Sequence, residues 1–244
     1  MIVLICAAAA HAFRPYARSN EAKTSWMSVY ALKTGQDYYM EVSADGSVLT
    51  RAETKGSIIT RRGKIRAQLA KDFFREIESS DIITAQGGRE SKLVFYKGET
   101  LKISAYVSGE LRRINAPLDN FGEAFSYAFN EVKKAAEQLA AEKQIKGFLL
   151  AEPIEGMDLE RYQANASKAG GSRAIETYDI QKAPTLLKAI KQPHRLIPLE
   201  SDAEMKDIQN FISTHGLYGL MKLFYLPSTR GTFKCQVLDA SKKR

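Results

Sequence analysis

Cysteine is scarce in this chain of 244 residues: there are two, Cys6 and Cys235, alongside three histidines. Cys6 falls in an N-terminal apolar run that reads as a cleavable signal, so Cys235 stands alone in the mature chain. A single thiol forms no intrachain disulfide, which excludes a cysteine-stapled secreted scaffold and favours a reducing compartment. Beyond the signal only His194 and His215 remain, at no short ligand spacing, whereas a zinc site needs about four converging ligands. A Cys–His nucleophile is no better supported. Cys235 lies inside the strand-like run TFKCQVL, where it reads as a small buried hydrophobe. The sequence therefore predicts no metal centre and no cofactor.

Long apolar runs are also missing. Past the first residues no stretch approaches the roughly 18 apolar residues of a membrane-spanning helix, which predicts a soluble or peripheral mature chain. Phosphate-binding glycine loops are imitated but not matched. Gly56 and Gly63, followed by Lys64, are separated by six residues instead of the motif's four, and Ile65 stands where a magnesium-binding hydroxyl belongs. Gly87-Gly88 and Gly170-Gly171 lack the strand–GxGxxG–helix setting of a dinucleotide site. Nor is one sign of charge concentrated. The formal charge of +8 falls to +6 without residues 1–25, and it divides evenly about Gly147. A nucleic-acid binder gathers its surplus more sharply. The mild excess suits an acidic protein surface or the periphery of a membrane, with no small-molecule ligand implied.

What is present begins at the N-terminus. Ile2 to Ala10 form an apolar run of nine, the length of a signal-peptide core and too short to span a bilayer. Ala10-His11-Ala12 supplies the small-x-small pattern that signal peptidase accepts, although only Met1 precedes the run where basic residues are usual. Phe13, Arg14 and Pro15 follow directly. This Ala-x-Ala-Phe-x-Pro arrangement resembles the bipartite presequence of algae with red-lineage complex plastids, in which the phenylalanine opens a transit peptide. Ala10, Ala12, Phe13 and Pro15 match that motif; His11 and Arg14 depart from its commonest residues. Arg14, Arg18, Lys23, Ser19, Thr24 and Ser25 against Glu21 continue the basic, hydroxyl-rich composition of transit peptides. The resemblance implies import into a plastid, to the stroma or thylakoid surface. Secretion, or a bacterial periplasm, is the alternative. It covers only residues 1–25 and implies nothing about the mature fold.

The mature chain reads as α+β: an antiparallel sheet with helices on one face over 26–146, then a smaller α/β unit over 147–244. Strands begin at Gln36, with Asp45-Gly46 as a hairpin turn and GSIITRRG as a third strand. Ile65, Leu69, Phe73 and Ile77 recur at the spacing of one buried helix face. Strands resume in SKLVFYKGETLKISAYVSGELRRINA, with turns at Lys97-Gly98 and Ser108-Gly109. Asp119 or Asn120 is expected to cap a helix whose apolar side is Phe121, Phe125, Val132 and Leu139. Past Gly147, GFLLAEPI and RLIPLE read as strands, with helices near 158–168 and 182–191. Ser201 and Glu204 form a capping box for a helix that packs through Met205, Ile208 and Ile212 and ends at Gly216. The last element is a hairpin around Ser228-Thr229-Arg230-Gly231.

Two clusters carry candidate chemistry. Glu152, Glu155, Asp158 and Glu160 are the one acidic group, and paired carboxylates can divide acid and base roles when their surroundings split their pKa values. They straddle Pro153 and Gly156 at a strand-to-helix junction, where acids ordinarily serve the helix N-terminus. Arg51, Lys55, Arg61, Arg62, Lys64 and Arg66 face only Glu53 across 16 residues. Adjacent strands are expected to bring several of these cations to one face. There they either guard an edge strand against aggregation or dock an acidic partner. The reading that follows is a non-catalytic accessory or assembly protein of an algal plastid, bound peripherally to a thylakoid complex such as a photosystem or its antenna. The alternatives are an enzyme using the Glu152–Glu160 carboxylates in a cleft between the halves, and a secreted bacterial protein.

Overall fold

A computed structural model of the chain describes residues 26–33, 36–54, 57–81, 100–107, 110–170, 177–217, 219–220 and 223–241. The fold is α+β, with antiparallel sheets. Six strands make the first sheet: β1 (Trp26–Lys33), β2 (Gln36–Ser43), β3 (Ser47–Thr54), β4 (Ser57–Lys64), β5 (Thr100–Val107) and β6 (Glu110–Pro117), in the order β4-β3-β2-β1-β5-β6. Strand β1 was not anticipated from the sequence; it pairs with both β2 and β5 and so closes the middle of the sheet. The expected turn at Lys97-Gly98 and the strand before it lie outside the described residues.

Tight turns follow their residues. Gly46 has φ +83, and a Cβ there would stand 2.6 Å from the Ile65 carbonyl oxygen, which itself lies beside the Ile65 N–H donated to Gly46 O at 2.9 Å. Glycine is thus required twice over, by backbone sign and by space. Asp45 closes the turn by accepting from the Ser47 amide and hydroxyl, bonds that hold its carboxyl below the usual range.

Helices α1 (Ala67–Ser79) and α2 (Glu123–Glu137) cover one face of this sheet. On α1 the buried residues are Ala70, Phe73, Phe74 and Ile77, while Leu69 sits half-buried at the margin. Phe73 is the hub, its ring 5.6 Å from Phe125 and 6.4 Å from Phe129 of α2. Neither Asp119 nor Asn120 caps α2. Both are spent in a 3₁₀ turn, Leu118–Phe121, and Gly122 occupies the cap position. The Pro117 that precedes the turn explains the offset: its fixed φ starts the 3₁₀ turn before an α-helix can begin.

The second sheet runs β8-β7-β11-β10-β9, from β7 (Gly147–Pro153), β8 (Leu196–Leu199), β9 (Gly219–Leu220), β10 (Leu223–Ser228) and β11 (Gly231–Asp239). Its strands alternate. Leu149, Ala151, Phe224, Leu226, Cys235 and Val237 face a core completed by α4 (Pro184–Lys191) and α5 (Asp202–His215). The Ser201–Glu204 capping box is formed, and Gly216 ends α5 with φ +59. On the opposite face, α3 (Gly156–Gly170) stacks Tyr162 on Tyr225 of β10, with ring centroids 4.9 Å apart.

The two sheets meet back to back. Tyr39 and Leu49, which alternate with the helix-facing residues of β2 and β3, pack on Phe148, Leu150, Leu196 and Leu238 of the second sheet. The order of layers is therefore helices, sheet, sheet, helices, with α3 on the back of the second sheet beside the first. The charged residues of both back faces are brought to the rim of that junction.

Candidate functional site

The basic strands are divided by their own alternation. Antiparallel register sets Arg51 opposite Thr60, Arg61 opposite Thr50, and Arg62 opposite Leu49. Arg51, Arg62 and Lys64 therefore lie on the back of the first sheet, and Arg61 on the side of α2. Arg51 is buried at 4% exposure; its Nε donates to the Asp239 carbonyl at 2.8 Å and its Nη2 to Glu53 at 3.0 Å. Beside it the Thr60 hydroxyl donates to the Ala240 carbonyl at 2.6 Å. Arg61 donates to the Leu139 carbonyl at 3.1 Å and forms a bridge with Ala141. Arg62 reaches Glu200 at 2.9 Å and Glu142 at 3.9 Å. Three of the six cations thus tie the first sheet to segments of the chain that follow it. Lys64, paired at 3.3 Å with Asp45, and Arg66, immediately before α1, are exposed, and Lys55 lies outside the described residues.

The acidic cluster is also divided. Glu152 is half-buried on the back face of β7, with its Oε1 3.9 Å from His194 Nδ1. Glu155, Asp158 and Glu160 are exposed on the connection to α3 and its first turns. Among the described residues no three of His, Cys, Asp and Glu are placed to hold a metal ion. Cys235 is fully buried, and burial pushes its thiol far above the ordinary range.

The rim of the sheet–sheet junction holds the densest polar network, and most of its members carried no signal as single residues. Tyr39 donates to Glu41 at 2.9 Å and accepts from the Leu196 amide at 3.2 Å. Burial, then the Glu41 charge, raises that phenol well above its normal range. Arg195 grips both oxygens of Glu41 and donates to Gln192 at 2.9 Å. His194, next in line, has φ +66, a left-handed backbone rare for a non-glycine residue. Its Nε2 lies 2.6 Å from Arg113 Nη1 on β6. Arginine can only donate, so Nε2 accepts and the ring proton sits on Nδ1, towards Glu152. Burial, then Arg113, then Lys102 on β5 lower this imidazole to about 4. The sequence signal was present in the alternation: in TLKISAYV and ELRRINAP, Lys102, Ser104, Arg113 and Asn115 occupy the side opposite the apolar residues.

A separate groove of about 290 Å³ lies between α4 and α5, lined by Pro184, Thr185, Asp207, Phe211 and His215 among others. Tyr178 packs on the His215 ring and donates to the His215 carbonyl at 3.1 Å. Among the described residues no helix is long and apolar enough to cross a membrane. Compared with known proteins, the chain matches no family model and no curated protein sequence.

Proposed function

We propose that this chain is a non-catalytic accessory or assembly protein that docks on an acidic protein surface, and that its presequence delivers it to an algal plastid, where it sits peripherally on a thylakoid complex such as a photosystem or its antenna. The address rests on residues 1–25: the apolar run, the motif at 10–15 and the basic, hydroxyl-rich segment after it. The docking role is carried by one observation: Lys64 and Arg66 stand exposed at the corner where β4 gives way to α1, with Arg62 half-exposed beside them. Such rim charges act on encounter rate and salt dependence more than on the fold.

The test is recovery of the bound complex from thylakoids with wild-type chain and with Lys64→Gln/Arg66→Gln. Weaker, more salt-sensitive recovery of the variant, at a melting temperature within about 2 °C of the parent, is the expected result. Equal recovery removes the corner from the docking surface. The address is tested separately by fusing residues 1–25 to a fluorescent reporter; a reporter secreted to the medium instead of entering the plastid overturns it.

A second reading has its own observation. Glu152 Oε1 lies 3.9 Å from His194 Nδ1, which puts one carboxylate of the acidic cluster beside an imidazole and favours an enzyme working from the junction rim. A turnover lost in Glu152→Gln with the fold unchanged would select it.

A further inference from the structure

We infer that the rim notch formed by Lys102, Arg113 and His194 is a receptor for a carboxylate side chain of an acidic peptide segment in a protein partner. This deepens the docking reading and rests on it. Lys102 and Arg113 project from neighbouring strands on one face: Lys102 is opposite Asn115 and Ser104 opposite Arg113, so the two cations are diagonal neighbours, about 7–8 Å apart at the backbone. Both are exposed. Like charges so placed repel unless an anion lies between them. Among the described residues Lys102 has no ion pair or hydrogen bond, and Arg113 makes its one hydrogen bond to a neutral ring.

Among the described residues, the two acids of this rim are committed elsewhere. Glu41 is held by Arg195 and Tyr39, and Glu152 lies on the far side of the imidazole. His194 contributes in two ways. It fixes one arm of the Arg113 fork, leaving the planar guanidinium oriented for a bidentate carboxylate. Its left-handed turn, between α4 and β8, sets the ring over the back of the first sheet. A carboxylate is favoured over a neutral ligand because Lys102 and Arg113 place two exposed positive charges side by side on this face.

The experiment titrates the full chain, isotope-labelled at histidine, with a short polyglutamate peptide, and in a parallel arm with inorganic phosphate. The expected result is saturable peptide binding, weakened by salt, with the His194 ring resonances shifting as the peptide binds. Lys102→Gln/Arg113→Gln should bind about tenfold more weakly or less with its melting curve unchanged. Lys102→Gln alone keeps the test if the pair unfolds. No saturable binding, or equal binding by the variants, overturns the assignment. Phosphate binding as tightly as the peptide does so too, because the notch is then a small-anion site. Failure here, with partner recovery still dependent on Lys64 and Arg66, leaves the docking reading standing and removes only the notch.

Discussion

At the scale of single residues, depth of burial ranks the outcomes. Phe73 is fully buried at the centre of a ring cluster, so Phe73→Ala is expected to lose about 3–5 kcal/mol in equilibrium unfolding. Leu69 borders the same core half-exposed, and its truncation should cost visibly less. Cys235 offers the opposite test. A buried thiol whose ionisation is suppressed should resist stoichiometric labelling until the protein unfolds. His194 adds a pH dependence with a definite sign. Its folded pKa of about 4 lies below the unfolded value near 6.5, so the unfolded chain binds more protons between them. Stability from the neutral ring is complete above about pH 6.5 and is lost as pH falls towards 4. Unfolding at pH 7 and pH 5 should therefore show a larger difference in wild type than in His194→Gln.

At the scale of elements, local signals were read well where one residue type has one conformational use. Asp45-Gly46, the Ser201–Glu204 box, Gly216 and the turn before Gly231 all mark boundaries that the structure places there. Ser201→Ala should cost about 1 kcal/mol, measured by thermal or urea unfolding, since its hydroxyl holds the Glu204 amide at 3.2 Å. Where two uses compete, the sequence misled. Asp119 and Asn120 are good caps, but Pro117 forces a 3₁₀ turn that absorbs them. Strand β1, WMSVYALK, carries apolar residues at both odd and even positions instead of a clean alternation, and pairing with two neighbours makes it central. The fold class was legible because strand and helix periods differ so plainly. The charged rim was not, since its members lie far apart in sequence: Glu41 meets Arg195 across 154 residues and Arg113 meets His194 across 81.

At the scale of the whole molecule, the two sheets are joined as much by specific polar bonds as by apolar packing. The apolar patch between them is a modest set around Tyr39, Phe148 and Leu196, ringed by Arg51, Arg62 and Arg195. Removing Arg51 should therefore loosen the junction out of proportion to its one side chain, because a buried guanidinium bonded both to Glu53 and to the Asp239 carbonyl is lost. Calorimetry of Arg51→Ala is expected to replace a single transition by two, one for each sheet.

The grip of Arg51 and Thr60 on Asp239 and Ala240 also orders events in time. These bonds join positions 188 and 180 residues apart. A ribosome delivers residues 51 and 60 long before it delivers their acceptors. During that interval Arg51 has Glu53 of its own strand as a partner, but not the acceptor that β11 carries. The bonds of Arg51 and Thr60 therefore form only once β11 arrives, and that strand acts as the clasp between the two sheets.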